Sequence, residues 1–320
     1  MFGKEILDLY DFGFTKLALN GVSLIYDLAL DERYKTLLTS NSPLTGGVIN
    51  RYLSIHRSVS DLIDRVKIAR LLCQKSGVCI GARCCGWDAI NALYQTTSEI
   101  DRKYETEYHK RFKNFLKEIQ EKDLTLAGAL TDPKGDRSLP PSGQKDPDLY
   151  LRIVERRDDG IVVRGAKAMI SGAPISHEIV VHPGMRFSEN EKDYAVSFAI
   201  PSNTKGLIFV IDRQASDDRK LKEGFDKGNL KYGSLEAHIF FDDVFVPSER
   251  VFMAGEFDFS GSVIEKFVLL HRVVLAGCLA GCGDVLTGGA TLLAEYNGIL
   301  KPLLPKIVDM IYYSEALFSS

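Results

Sequence analysis

From Leu149 to Pro247 the chain runs through LYLRIVE (149–155), GIVVRGAKAMI (160–170), EIVVH (178–182), YAVSFAI (194–200), GLIFVI (206–211) and EAHIFFDDVFVP (236–247). These runs are short and rich in Val, Ile, Phe and Tyr, and Gly, Asp, Asn and Pro punctuate them, which is strand chemistry. Most gaps hold no helical pattern, so neighbouring runs are expected to pair antiparallel, as a barrel or sandwich. Upstream, Thr131–Pro147 (TDPKGDRSLPPSGQKDP) carries four Pro and two Gly and reads as a loop built from turns.

Helical patterns flank this segment. Leu62, Val66 and Ala69 form an i, i+4, i+7 stripe within 61–72, with Ser60 as a candidate cap. Ser98 to Glu121 places Ile100, Tyr104, Phe112, Phe115 and Ile119 near one face. After Arg250, Val263–Tyr296 is apolar on most sides, which suits a helix buried on several faces. Its small residues Ala276, Gly277, Ala280, Gly281 and Gly283 permit close approach of a neighbour or a cofactor. The class is therefore α+β: an N-terminal helical domain (1–125), an antiparallel β-barrel domain (126–255) and the start of a C-terminal helical domain (256–320). The final helix, IVDMIYYSEALFSS, has apolar residues and no following partner, so the last bundle is expected to be incomplete.

The chain has 320 residues, net charge −3 and 45% apolar content, an ordinary balance for a soluble globular protein. There is no basic block to point to nucleic acid. No apolar run reaches the roughly 20 residues of a membrane span. The N-terminus, MFGKEILDLYDFGF, lacks signal-peptide order, which makes the cytoplasm the default expectation.

Chemistry concentrates in two sulfur-rich patches. One is Cys79-Ile-Gly-Ala-Arg-Cys84-Cys85, the other His271-Arg-Val-Val-Leu-Ala-Gly-Cys278. Thiolate and imidazole are donors for iron and zinc. Seven residues make roughly two helical turns, so His271 and Cys278 share a face. Cys79 and Cys84 would sit about 140° apart on an ideal helix and need a loop or π-bulge around Gly81 to converge. Cys85 competes with Cys84 as a ligand, and incidental buried thiols are the alternative reading of both patches. Cys73 and Cys282 read as core cysteines. The TDPKGDR turn suits a phosphate or a flavin edge, or is a solvated charged turn. Glu236 opens a strand before an apolar pair, where a buried carboxylate could act as a base with a raised pKa; otherwise it faces solvent.

Four longer blocks carry a resemblance. They are QKSGVCIGARCCGWDAINALY (74–94), TTSEIDRKY (96–104), LTDPKGDRSLPPSGQKDPDLYLRIVERRDDGIVVRGAKA (130–168) and the stretch from His271 to Gly289. Together they resemble the 4-hydroxyphenylacetate 3-hydroxylase family of flavoproteins, and within it the members that dehydrate a hydroxyacyl-CoA. The resemblance implies an acyl-CoA-dehydrogenase-like fold, FAD, a 4Fe-4S cluster, an acyl-CoA substrate and a tetramer. It places the cluster on Cys79, Cys84, His271 and Cys278. It makes His271 a catalytic base and Glu236 a catalytic carboxylate. Ser171 becomes a flavin-contacting hydroxyl, and the loop with Thr131, Asp132, Asp136, Arg137 and Ser138 part of the flavin site. Against those members this chain has one extra residue within Ile80–Arg83. It also carries Leu275 and Leu279 where they have Tyr and Lys. These departures keep two other readings in play: a cluster-free aromatic monooxygenase relative, and a non-catalytic fragment or subunit that needs a partner chain for its C-terminal helices.

Overall fold

The computed structural model describes residues 8–211 and 229–319, with residues 14 and 82 described by backbone alone. Residues 1–7 of the acidic N-terminus lie outside that range.

Helix α1 (Gly13–Leu30) buries Ala18, Val22, Ile25 and Leu28 at the i, i+4 and i, i+3 spacings of one face. The single turn α2 (Lys35–Leu38) leads into the hairpin β1 (Thr39–Asn41) and β2 (Val48–Asn50). Helix α3 (Val59–Ser76) starts at Ser58, not Ser60. Ser58 Oγ accepts from the Asp61 amide while the Asp61 carboxylate accepts from the Ser58 amide, a reciprocal capping box. The buried face of α3 is also offset from the expected stripe. It consists of Arg65, Ile68, Ala69, Leu72, Cys73 and Ser76, and leaves Leu62 and Val66 half-buried.

The segment read as one amphipathic run from Ser98 is two helices, α4 (Gly81–Tyr104) and α5 (Tyr108–Glu121). Glu105 closes α4 at φ 53°, and the Asp101 carboxylate accepts from the amides of Tyr108 and His109 to start α5. Ile100, Phe112, Phe115 and Ile119 are buried as expected, and Tyr104 is exposed.

All six apolar runs become strands: β4 (Arg152–Arg157), β5 (Gly160–Ser171), β6 (Glu178–Val181), β7 (Val196–Pro201), β8 (Leu207–Ile211) and β9 (Glu236–Pro247). Two more strands join them, β3 (Leu126–Ala129) before and β10 (Val251–Ala254) after. Among the described residues they form two four-stranded sheets, ordered β10-β7-β6-β3 and β4-β5-β9-β8, and no closed barrel. One neighbour pair, β3 with β6, is parallel; the other pairs in these two sheets are antiparallel. The expectation of an antiparallel barrel is corrected accordingly. The hairpin β4–β5 leaves for the second sheet between β3 and β6, and that excursion supplies the crossover a parallel pair requires.

Helices then return as α6 (Ser260–Tyr296) and α7 (Leu300–Ser319). Gly277 and Gly281 let α6 lie backbone to backbone on α3. A Cβ at Gly277 would stand 2.2 Å from the Val66 carbonyl oxygen, and one at Gly281 2.4 Å from that of Arg70. The other side of α6 stays open, with Leu269, Leu275, Leu279, Leu286 and Leu293 exposed. Burial on several faces is thus not seen in α6. None of the described helices is long and apolar enough to cross a membrane.

Candidate functional site

Three helices deliver the sulfur. Helix α3 ends on Gly77, left-handed at φ 68°. Cys73 occupies the last turn of α3, and Cys79 lies in the short connector before α4 begins at Gly81. The connector breaks the helical phase around Gly81, so Cys79 and Cys84 are not held 140° apart. Cys84 and Cys85 follow in the first turns of α4, and Cys278 comes from the middle of α6.

The Cys278 thiol lies near enough to Cys73 and Cys79 for both to perturb its ionisation. Cys84 stands close enough to Cys79 and Cys278 for their charges to be felt, and its sulfur lies 3.7 Å from the Tyr52 hydroxyl. The contact with Cys278 and then burial hold the Cys79 thiol well above its ordinary range, and burial pushes Cys84 up to about 12. These thiols are neutral at physiological pH unless a cation offsets the cost of thiolate.

Cys79 also faces a narrow recess shared with Gly81, Ser171, Glu236, Ala18 and Val22. Ser171 ends β5 and is in register with Glu236, the first residue of β9. Its hydroxyl donates to the Glu236 carboxylate, with the oxygens at 2.9 and 2.8 Å. Half-buried Glu236 is therefore a positioned carboxylate at the mouth of the sulfur site. Gly81 makes this junction possible, since a Cβ there would lie 3.0 Å from Ser171.

His271 comes from α6, roughly two turns before Cys278, and is held by α4. Its Nδ1 lies 2.9 Å from Oδ2 of Asp88 on α4, and its ring stacks on Phe267 with centroids 5.8 Å apart. Oδ1 of the same carboxylate accepts from Arg65 of α3. Arg65 and Asp88 are both fully buried, and the guanidinium lies over the Trp87 ring at 4.7 Å. Among the described residues no group of three or more His, Cys, Asp or Glu side chains already stands in metal-ligating geometry. The donor set still suits an iron–sulfur group. Three expected thiols lie within electrostatic range of one another, and the imidazole is backed by a carboxylate in the way ligating histidines are.

The expected flavin loop divides in two. Asp132 is buried and pairs with Lys167 at 2.6 Å. Lys167, itself buried, also donates to the carbonyls of Leu130 and His182, so Asp132 anchors the loop to β5. The Thr131 carbonyl accepts from the Ala168 amide at 2.8 Å. Thr131, Asp136, Arg137 and Ser138 are exposed. Asp136 Oδ1 accepts from the Ser138 amide and hydroxyl, which shapes the turn and holds its carboxyl below the usual range.

Sequence reasoning missed Arg65 and Asp88, whereas Cys73 is buried as read. Asp88 carried a usable signal, since it lies one helical turn beyond Cys84 in a sequence of otherwise apolar character.

The chain matches the model of the 4-hydroxyphenylacetate 3-hydroxylase N-terminal region over residues 1–253. The chain belongs to this family. It is 48% identical over 322 residues to the 4-hydroxybutyryl-CoA dehydratase/vinylacetyl-CoA-Δ-isomerase of Clostridium aminobutyricum, covering 99% of this chain and 66% of that protein. It superposes on an oxygen-tolerant archaeal 4-hydroxybutyryl-CoA dehydratase from N. maritimus at TM-score 0.95 and 42% identity, covering 100% of this chain and 64% of that one. The oxygenase component of 4-hydroxyphenylacetate 3-monooxygenase, solved with FAD and 4-hydroxyphenylacetate, shares the fold at TM-score 0.81 and 24% identity over 99% of this chain and 66% of that one. A glutaryl-coenzyme A dehydrogenase shares it at TM-score 0.57 and 13% identity over 99% of this chain and 77% of its own. The resemblance read from the sequence and the acyl-CoA-dehydrogenase-like fold are both borne out. The chain spans just under two thirds of the dehydratases it matches.

Proposed function

We propose that this family member serves the FAD- and 4Fe-4S-dependent radical dehydration of 4-hydroxybutyryl-CoA to crotonyl-CoA, with vinylacetyl-CoA isomerisation as the related activity. The observation that carries this reading is that Cys79, Cys84 and Cys278 lie within electrostatic range of one another, with Cys79 lining the Glu236 recess. The printed activities of the two dehydratase relatives give it its substrate. When bound, FAD supplies a one-electron acceptor and donor, and the cluster an iron that assists departure of the γ-hydroxyl.

The chain's own residues do the rest. Cys79, Cys84 and Cys278 would hold the cluster as thiolates, with His271 as the fourth ligand. Glu236, steadied by Ser171, takes the α-proton on its carboxylate. Nε2 of His271, the nitrogen not engaged by Asp88, is the one lone pair it has to offer, so it would take the β-proton only once released from the iron. The Thr131–Ser138 turn, pinned by the Asp132–Lys167 pair, lines the flavin with Thr131, Asp136, Arg137 and Ser138; Ser171 faces it from the end of β5. Residues 1–125, 126–255 and 256–320 act as the three structural parts. The open outer face of α6 and α7 is covered in the working enzyme, by further copies of the chain in a tetramer or by a second polypeptide.

Anaerobic purification tests this directly. About four iron per chain, a brown colour and stoichiometric FAD are expected; a colourless, iron-free chain that still binds FAD would sink the cluster assignment. That outcome favours the second reading, a cluster-free aromatic monooxygenase, which the extra residue within Ile80–Arg83 and the apolar Leu275 and Leu279 support. Cys278→Ala then separates the two, because it abolishes iron binding in the first and leaves activity unchanged in the second.

A further inference from the structure

We infer that Asp88 is a positioning residue for His271, and that it fixes the imidazole as the Nδ1–H tautomer with the lone pair on Nε2. The inference rests on the reading above in giving His271 a function through Nε2. It goes further in assigning how that nitrogen is kept available. A neutral imidazole carries its proton on either nitrogen, and a carboxylate beside one of them settles the choice, because an ionised carboxylate only accepts. Asp88 Oδ2 stands 2.9 Å from Nδ1, so Nδ1 must be the donor.

Two further contacts make the arrangement rigid. The carboxylate cannot rotate away, because its other oxygen is held by Arg65 and both side chains are fully buried. The ring cannot tilt freely, because Phe267, one turn earlier on α6, stacks against it with planes only 20° apart. Phe267 is in turn packed on the buried ring of His182 at 4.9 Å. One residue thus sets the tautomer and another the plane, while His271 itself remains one-third exposed and open to a reacting partner. Arg65 balances the Asp88 charge, so the pair adds no net charge beside the ring.

The test is the tautomer itself, read on the iron-free full chain labelled with ¹⁵N-histidine. Two-bond ¹H–¹⁵N correlation distinguishes the protonated from the bare nitrogen. The chain has six His, and His271→Gln identifies the resonance by its loss. The expected result is Nδ1–H in the wild type and in Asp88→Glu. The double variant Asp88→Leu/Arg65→Met removes the acceptor and both buried charges together and so leaves neither charge unpaired. In it the preference for Nδ1–H should fall by about tenfold. A wild-type spectrum dominated by Nε2–H, or a folded double variant that keeps Nδ1–H, overturns the inference. Should the double variant not fold, the wild-type and Asp88→Glu spectra decide it. Iron content after anaerobic reconstitution is scored separately. Nδ1–H without iron defeats the cluster reading and leaves the positioning role standing. Iron with Nε2–H does the reverse.

Discussion

Along α6, Val274, Gly277, Ala280 and Gly281 are buried, whereas Leu269, Leu275, Leu279 and Leu286 on the other side are exposed. Hydrophobicity does not separate the two faces; if anything the exposed one is the more apolar. What separates them is the lack of side-chain bulk. Gly277 and Gly281 let α6 sink onto the α3 backbone, and that approach brings Cys278 against Cys73 and Cys79. Three buried or half-buried polar groups, Arg65, Asp88 and His271, then occupy the same seam, where each needs a partner. The inner face is specified residue by residue, while the outer face carries only a requirement to be covered. Perturbing the two faces should therefore give very different responses.

The largest effect is expected at Arg65. Arg65→Met strands the buried Asp88 carboxylate without its cation and should cost about 3–5 kcal/mol by urea denaturation. A loss under about 1 kcal/mol would mean the seam is wetter than its burial implies. Next comes the His182 ring under Phe267, where burial first, and then the Lys167 charge, lower its pKa from 6.5 to about 3. The folded state resists protonation there, so the stability from this site is complete above pH 6.5 and is lost as pH falls from 6.5 towards 3. The slope from one such group reaches about 1.4 kcal/mol per pH unit. His182→Gln should flatten the denaturation midpoint in that window relative to the wild type; parallel pH curves would remove His182 from the account.

Much of this contrast was legible in the sequence, and the illegible parts share a cause. The six apolar runs announced β4 to β9, because Val, Ile and Phe at short spacing carry their own signal. β3 did not announce itself: Leu-Ala-Gly-Ala has no β-branched residue, and its strand character comes from pairing with Glu178–Val181, some fifty residues on. Barrel versus paired open sheets was undecidable for the same reason, since closure depends on which edges meet. Within the site, the family blocks pointed to Cys79, Cys84, His271 and Cys278, and Gly81 flagged the break that frees Cys79 from the helix. Cys73 is the core cysteine its sequence suggested, but that it lies near Cys278 could not be read in one dimension. The expected apolar stripe of α3 missed the face that carries Arg65, because an arginine there is buried only by virtue of Asp88 and Trp87.

A smaller effect should follow from adding one methyl to the seam. In Gly277→Ala the new Cβ meets the Val66 carbonyl at 2.2 Å, backbone that cannot swing aside as a side chain would. Overpacking of this kind costs about 1–3 kcal/mol. It should also shift α6 away from the thiols, so iron uptake under anaerobic reconstitution should fall with stability. Destabilisation with unchanged iron uptake would show that the cluster site tolerates movement of α6.

The smallest expected effect lies on the opposite face, and it is the sharpest check on the contrast. Leu286 is 67% exposed, so Leu286→Ser should leave the chain's own unfolding free energy within about 0.5 kcal/mol. What should change is self-association: if the proposed assembly covers this apolar face, a polar side chain in its middle should lower the mass measured by sedimentation. If Leu286→Ser instead destabilises a monomeric chain by more than about 1 kcal/mol, the outer face is already covered within the chain. The distinction between a specified and an unspecified face of α6 would then fail.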